Sequence, residues 1–347
     1  MNHADPADTA SFDYPLPPDR IAQEPIEPRD QARLLVDRAV SVDHRRVADL
    51  PDELGPGDLV VVNETRVIPA RLELVKPTGG RVEVLLLEPA DGDPHRWQAL
   101  VRGGRRVAPG TGLLDGDGRP VLTVGEPIGG GRRWVRTVEE PGALMARAGR
   151  IPLPPYITRP LGDDDRYQTM FARRPGSVAA PTAGLHLTTG VLDRIRVAGA
   201  GVVAVDLRVG LGTFRPIATD RVADHIMHAE RYTIRPEVWD RIQGADRVVA
   251  VGTTVVRTLE AAAATGRLAD DTRLFITRDH PWRVVDVLLT NFHVPRSSLL
   301  VLVDAFTRGR WRDLYREALA ADYRFLSFGD AMLLTRARPE DPRCPSP

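Results

Sequence analysis

The sequence predicts an α/β main domain with a mostly parallel sheet, plus an inserted small antiparallel β-barrel domain. On both sides of the chain's middle, apolar runs of strand length alternate with segments of helical pattern, which is typical of a parallel sheet covered by helices. Between about Lys76 and Arg150 the pattern changes to short strand candidates separated by Gly, Asp and Pro turns, which favours a small antiparallel barrel or sandwich. The alternative is a single domain with a long β-rich excursion. We favour an insertion, because this block has enough apolar positions for its own core.

The main domain is expected from a series of strand and helix signals. The run LVVVN follows a Gly-Pro-Gly-Asp turn, and a helix capped by Thr188 or Thr189 precedes the buried strand Gly201–Val209. RVVAV is a strand before a helix from about Val255. TRLFIT and RVVDVLLTNFH are predicted as strands, SSLLVLVDAFT as an apolar helix, WRDLYREALA as an amphipathic helix, and FGDAMLL as the last strand.

These signals set the expected boundaries. The discontinuous main domain covers residues 12–75 and 150–336, and the barrel covers residues 76–149. Residues 1–11 are predicted to be a disordered leader and residues 337–347 a disordered tail, because both are polar and lack periodicity.

Composition excludes several classes of protein. The 347 residues contain 47 Lys and Arg against 47 Asp and Glu, so the strongly basic balance of many nucleic-acid-binding proteins is absent. The only cysteine is Cys344, which excludes a disulfide framework or a cysteine metal site within one chain. The sequence shows no signal peptide and no apolar run long enough for a membrane span. We therefore expect a cytoplasmic protein that does not interact with membranes.

Four polar groups follow predicted strands or turns, in the segments NETRVIPAR, AAPTAGLH with GLGTF, GTTVVR, and TNFHVPRSS. One such group alone is weak evidence, and AAPTAGLH with GLGTF is equally well explained as an ordinary connection with turn glycines. Four such groups in one α/β framework indicate a shared cleft lined by several loops. The candidate residues are Asn63, Arg66, Arg71, Thr182, Gly184, His186, Arg208, Gly210, Gly212, Thr213, Gly252, Thr253, Thr254, Arg257, Asn291, His293 and Arg296.

The segment HIMHAE contributes a further candidate group. A polar helix is predicted here, on which His225 and His228 share one face and Glu230 follows. A metal site is one interpretation, but the spacing is not that of a metalloprotease and the sequence identifies no third ligand. Acid–base or hydrogen-bonding roles are favoured over metal binding, and a solvated helix face is the simplest alternative.

Three common site motifs are absent. AVGTTVVR opens a helix after a strand, a geometry that holds carboxylates, phosphates or ribose hydroxyls, but it matches neither the P-loop nor the dinucleotide fingerprint. No G-x-S-x-G elbow is present, which disfavours an α/β-hydrolase.

The chain resembles a known family, the S-adenosylmethionine:tRNA ribosyltransferase-isomerases of queuosine biosynthesis. The resemblance runs in order through about residues 12–334. It is carried by FDYPLPPDRIAQEPIEPRDQARLLV, GDLVVVNETRVIPARL, TGGRVEVLLLE, IPLPPYITR, DRYQTMFA, GSVAAPTAGLHLT, VGLGTFRPI, HIMHAERY, AVGTTVVRTLE, LLTNFHVPRSSLLVLVDAF and YRFLSFGDAMLL.

The resemblance implies a fold and a reaction. The family has an α/β domain with an inserted β-barrel. It transfers and isomerises the ribosyl group of S-adenosylmethionine onto 7-aminomethyl-7-deazaguanine in tRNA, giving epoxyqueuosine and releasing adenine and methionine. S-adenosylmethionine is the co-substrate, no metal is implied, and the expected acceptor is a tRNA with a GUN anticodon.

The resemblance also suggests roles for the candidates. The reaction needs proton transfers, for which His186, His228, Glu230 and His293 are the catalytic candidates, with their individual roles left open. Arginines among the other candidates suit the methionine carboxylate or tRNA phosphates, and the glycines suit close approach of the adenosine.

One departure from the family pattern keeps alternatives open. Arg208 stands before VGLGTF where the family has a histidine, and arginine cannot act as a general base near neutral pH. A paralogue that uses S-adenosylmethionine with a small-molecule acceptor, or an inactive tRNA- or nucleoside-binding module, is therefore the alternative to the tRNA-modifying enzyme.

Overall fold

A computed structural model describes residues 7–103, 107–210 and 216–337. The chain folds as two compact units. Among the described residues, the first contains residues 7–66, 154–174 and 180–337, and the second contains the rest. The second unit starts before the expected boundary at residue 76, because the strand Arg71–Val75 pairs with the strand that follows it.

A nine-stranded sheet organises the first unit. Numbered in chain order, its strands are β1 (Arg33–Asp37), β2 (Val42–Arg46), β3 (Asp58–Asn63), β13 (Gly201–Leu207), β14 (Glu230–Thr233), β15 (Arg247–Val251), β16 (Ala269–Thr272), β17 (Val287–Asn291) and β18 (Ala331–Thr335). Their order is β16-β14-β13-β3-β15-β17-β18-β1-β2. The central strands β13, β3, β15 and β17 are parallel, so their carboxyl ends share one edge of the sheet.

Helices pack around this sheet. Those of the first unit are α2 (Thr189–Val197), α3 (Pro236–Gln243), α4 (Thr253–Thr265), α5 (Ser298–Thr307) and α6 (Trp311–Ala320). The Thr188 hydroxyl begins α2 by accepting a hydrogen bond from the Val191 amide, and the left-handed Gly266 ends α4. None of the described helices is long and apolar enough to cross a membrane.

The core of this unit lies between the sheet and α2. Val60 and Val249 on the central strands pack with Leu192 and Ile195 in one buried cluster. Each such aliphatic side chain stabilises the fold by roughly 1.5–3 kcal/mol when fully buried.

The second unit contains the predicted barrel. Its strands are β5 (Arg71–Val75), β6 (Arg81–Ala90), β7 (Asp93–Arg102), β8 (Gly112–Leu114), β9 (Pro120–Gly129), β10 (Arg132–Thr137) and β11 (Gly149–Arg150). They follow the order β11-β5-β6-β7-β10-β9-β8, and pairing of β5 with β8 closes six antiparallel strands into a barrel. The helix α1 (Pro141–Ala148) also belongs here, and the short strands β4 (Thr65–Val67) and β12 (Arg174–Ser177) lie outside both sheets. The predicted fold class is confirmed.

Some local predictions were wrong. His225 and His228 do not lie on a helix. A 3-10 turn covers Val222–Asp224, and the chain then extends into β14. The reason is tertiary pairing, because β14 lies between β13 and β16 in the sheet. TRLFIT is not a strand either.

The expected disordered leader is ordered where it is described. Residues Thr9–Phe12 form a 3-10 turn, and the Thr9 amide donates to the Asp220 carbonyl at 2.8 Å. Residues 1–6 of the leader and 338–347 of the tail lie outside the described residues.

Candidate active site

A cleft with a mixed apolar and polar lining lies at the carboxyl ends of the parallel strands β15 and β17. It contains about 570 Å³ of space, part of it open to solvent. The turn Thr182–His186 and the residue Val209 contribute to its wall. Polar side chains that line it include those of Tyr156, Thr182, Thr254, Asn291, His293 and Ser327.

The start of α4 forms one wall. Gly252 precedes the helix with φ of 91°, a conformation that favours glycine. Because this residue has no side chain, the first amides of α4 have no side-chain cap. The Thr254 hydroxyl is buried and finds no hydrogen-bond partner within the described chain.

Asn291, at the end of β17, connects the cleft wall to His186. Its Oδ1 accepts from the Thr182 hydroxyl at 2.9 Å, and its Nδ2 donates to the Asp330 carbonyl at 3.3 Å. Since a carbonyl can only accept, this bond fixes the orientation of the amide. The same Nδ2 therefore donates to His186 Nε2 at 3.0 Å.

His186 lies behind this wall. Only 4% of it is exposed, and it lines a second, smaller cavity with Arg29 and Arg166 rather than the cleft. Burial lowers the pKa of His186 to about 4, and the nearby Arg324 and Arg29 act in the same direction. The imidazole is therefore neutral near pH 7, in agreement with its role as hydrogen-bond acceptor from Asn291.

His293 is the imidazole that faces the cleft among the described residues. Its Nε2 lies 2.9 Å from the Thr290 hydroxyl. The Tyr315 hydroxyl accepts from the His293 amide at 2.8 Å, and the Tyr14 hydroxyl donates to the His293 carbonyl at 2.6 Å. Burial lowers the pKa of His293 to about 3, so this imidazole is also neutral and held on a rigid backbone.

Tyr156 and Ser327 are among the lining residues that were not predicted. The Tyr156 hydroxyl lies 2.7 Å from Ser327 Oγ, and burial raises the pKa of Tyr156 to about 12. Both occur in segments that carry the family resemblance, IPLPPYITR and FLSFGD. No local pattern marks either residue, because the fold alone brings them to the cleft.

Glu230 and Arg257 form a buried ion pair that does not line the cleft. The second carboxylate oxygen of Glu230 accepts from the Gly210 amide at 3.1 Å, and Arg257 Nε donates to the Leu274 carbonyl at 3.0 Å. The pair therefore holds the loop that leaves β13 through the Gly210 amide.

Asn63 and Gly184 also make structural contacts. Asn63 exchanges two hydrogen bonds of 3.0 Å with the backbone of Leu207, which ties the ends of β3 and β13 together. A Cβ on Gly184 would lie 2.8 Å from the Phe171 ring, so close packing requires glycine there.

The comparisons with known proteins fit this architecture. Residues 9–334 match the family described as "Queuosine biosynthesis protein". The chain belongs to this family. An S-adenosylmethionine:tRNA ribosyltransferase-isomerase from Anaeromyxobacter sp. is 51% identical, with 94% of this chain and 99% of the relative covered. One from Rubrobacter xylanophilus is 50% identical, with 94% and 97% covered.

A solved structure is similar as well. The crystal structure of S-adenosylmethionine tRNA ribosyltransferase from Thermotoga maritima is 34% identical, with 93% of this chain and 99% of that chain covered, at a TM-score of 0.52.

In this family member the predicted arginines lie away from the cleft. Arg66 is 47% exposed and 3.6 Å from Asp165, and Arg71 donates to the Leu153 carbonyl within the barrel unit. Arg208 is exposed, and Arg296, at φ of 57°, donates its amide to the Phe12 carbonyl. The cleft lining within the described chain contains neither arginine nor lysine.

The remaining candidates divide into two groups. Gly252, Thr253, Thr254 and Asn291 line the cleft, whereas Gly212 and Thr213 lie outside the described residues.

The histidine pair is also away from the cleft. His228 is exposed, and His225 packs edge-to-face on Phe275. Across the described ranges no group of three His, Cys, Asp or Glu could hold a metal ion.

Proposed function

We propose that this protein transfers and isomerises the ribosyl group of S-adenosylmethionine onto 7-aminomethyl-7-deazaguanine in tRNA, releasing adenine and methionine. The observation that carries the proposal is the cleft of a queuosine-family chain at the carboxyl edge of its parallel strands. The named relatives, at about half identity over nearly the whole chain, support the same reaction.

One hydroxyl of the cleft suits this co-substrate. The Thr182 hydroxyl donates its proton to Asn291, so its lone pairs remain for a donor on the ligand. S-adenosylmethionine presents such donors in its ribose hydroxyls and its ammonium group.

His293 is the candidate for proton transfer. The sulfonium makes the adjacent ribose carbon acidic, so the reaction needs a base at that carbon. His293 faces the cleft, whereas His186, His228 and Glu230 do not line it. We assign His186 to positioning, because it orients Asn291.

The proposed reaction also leads us to expect a particular tRNA acceptor and a particular cellular location. We expect a tRNA with a GUN anticodon as acceptor and a cytoplasmic location. A small-molecule acceptor was suggested by Arg208 alone, and that side chain is exposed rather than directed into the cleft.

The test is adenine release from S-adenosylmethionine. We expect adenine only when tRNA carrying the 7-aminomethyl-7-deazaguanine precursor is present, and none when the anticodon's first base is an unmodified adenine. Release that a free deazapurine stimulates and tRNA does not would overturn the proposal.

Replacing the proposed base gives a sharper test. In His293→Gln, kcat should fall about 10²- to 10⁴-fold, while the affinity for S-adenosylmethionine, measured by calorimetry, should change little. His225→Gln is the matched control, because His225 packs on Phe275 away from the cleft. Equal loss of activity in both variants would contradict the role of His293.

A further inference from the structure

The start of α4 contains buried hydrogen-bond donors that the fold leaves unused. The Gly252 amide donates to the Leu289 carbonyl at 2.8 Å, and the Gly252 carbonyl accepts from the Val255 and Val256 amides. No acceptor in the described chain bonds the amides of Thr253 and Thr254. A helix of 13 residues therefore begins at the cleft with open N–H groups.

Thr254 provides a second, independent observation. The residue is 6% exposed and lines the cleft, yet its hydroxyl has no partner among the described residues. A buried hydroxyl without a partner is unfavourable, so a ligand that bonds to it gains affinity. Threonine in a helix has two accessible rotamers, so the hydroxyl can turn towards a ligand without movement of α4.

A neighbouring helix start in the same cleft is already satisfied. Ser297 precedes α5, accepts from the Leu300 amide at 3.2 Å and donates to the Val294 carbonyl at 2.7 Å. Gly252 occupies the equivalent position before α4 and cannot cap it. The open donors are therefore specific to the α4 side of the cleft.

We propose that the start of α4 binds the α-carboxylate of the methionine part of S-adenosylmethionine, through the amides of Thr253 and Thr254 and the Thr254 hydroxyl. This inference rests on the proposed function. The open amides and the helix dipole favour an anion, and no carboxylate among the described lining residues opposes one.

An RNA phosphate is the other anion that the reaction brings. Phosphates of nucleic acids are held mainly by arginine and lysine, and the described cleft lining has neither. A carboxylate on a small ligand therefore fits this wall better than a phosphate of the tRNA.

The first test removes the carboxylate from the ligand. Decarboxylated S-adenosylmethionine keeps the adenosine, sulfonium and ammonium groups. Calorimetry on the full chain should show about 10- to 100-fold weaker binding of this analogue than of S-adenosylmethionine. Equal affinities would overturn the inference while leaving the proposed function intact. If the wild type binds neither compound, both the inference and the proposed function fail.

The second test removes the hydroxyl from the protein. Thr254→Val should weaken S-adenosylmethionine binding about 5- to 10-fold, and Thr254→Ser should restore it. Binding of 5′-methylthioadenosine, which lacks the amino-acid part, should stay within twofold of wild type in both variants.

Thr258→Val is the matched control on the same helix, because the Thr258 hydroxyl already donates to the Thr254 carbonyl at 2.9 Å. Thr258→Val should leave both affinities unchanged. If Thr254→Val weakens tRNA binding and leaves S-adenosylmethionine binding unchanged, the anion is a phosphate and the carboxylate assignment is wrong.

Discussion

The first turn of α4 contains buried polar groups without hydrogen-bond partners in the described chain, whereas the buried polar group in the middle of the same helix is fully hydrogen-bonded. At the start, the amides of Thr253 and Thr254 and the Thr254 hydroxyl lack partners in the described chain. In the middle, the fully buried Glu260 accepts from the amides of Arg283, Val284 and Val285 at 2.9–3.0 Å. One helix therefore serves the fold at one position and offers donors to a ligand at another.

The difference shows how the two kinds of group can be distinguished in this molecule. His280 Nε2 completes the Glu260 cluster at 3.2 Å, so the carboxylate is saturated by a loop next to it and no ligand is needed. The start of α4 has no comparable loop within the described chain. Stability should therefore depend on Glu260, and binding should depend on Thr254.

Removing Glu260 should produce the largest effect on stability. Glu260→Ala leaves three backbone amides without their acceptor, so the free energy of unfolding should fall by about 3–5 kcal/mol. Urea denaturation measures it. Glu237→Ala is the control, because Glu237 is mostly exposed on α3, where it pairs with Arg235. It should change stability by about 0.5 kcal/mol or less. Equal losses would show that the Glu260 cluster does not stabilise the fold.

The stability of the protein should depend on pH through the ionisation of Glu260. Burial alone would raise the pKa of Glu260, but the hydrogen bonds from His280 and three amides outweigh it, and the pKa lies below its ordinary value. The stability that ionised Glu260 contributes is therefore complete above the unfolded-state pKa of about 4.3. It is lost as the pH falls through the folded-state pKa.

Acid denaturation can isolate that contribution. Between the two pKa values, Glu260 should add a slope of up to about 1.4 kcal/mol per pH unit to the unfolding free energy. Glu260→Gln should lack this part of the slope. A Gln variant with the wild-type pH profile would contradict the assignment.

The smallest effect should come from a helix start that is already capped. The Thr188 hydroxyl accepts from the Val191 amide and donates to Asp30, so Thr188→Ala should lower stability by about 1 kcal/mol. It should leave S-adenosylmethionine affinity unchanged. This pattern is the reverse of the one expected for Thr254→Val. Thermal unfolding and calorimetry on the two variants compare them directly.

Much of the fold was predictable because its signals are local. LVVVN and RVVAV are apolar runs of strand length, and the capping residue Thr188 marks the start of α2. The strand β14 was missed because its pairing with β13 and β16 comes from distant parts of the chain.

The cleft was predictable in part for the same reason. Thr182, Thr254, Asn291 and His293 follow strands or turns whose position in the sheet can be inferred, and all four line the cleft. The direction of a side chain cannot be inferred in this way. His186 lies in the predicted loop but behind the wall, held by Asn291.

The partners of the buried ion pair could not be inferred from the sequence either. The sequence identifies Glu230 and Arg257 as polar residues near the predicted site, but their pairing depends on the packing of β14 against α4. Their roles, like those of the other candidates, stay predictions until variants are measured.

The position of β18 has a consequence for the order of folding during synthesis. β18 lies between β17 and β1, and Leu34 pairs with Ala331. The nine-stranded sheet therefore stays split, with the edges of β1 and β17 unpaired, until Ala331–Thr335 have left the ribosome. The barrel strands β5 and β6 meet through a short hairpin, so that unit can fold early. We infer that the nascent chain carries a finished barrel beside an incomplete sheet, and that the incomplete sheet is the part open to aggregation.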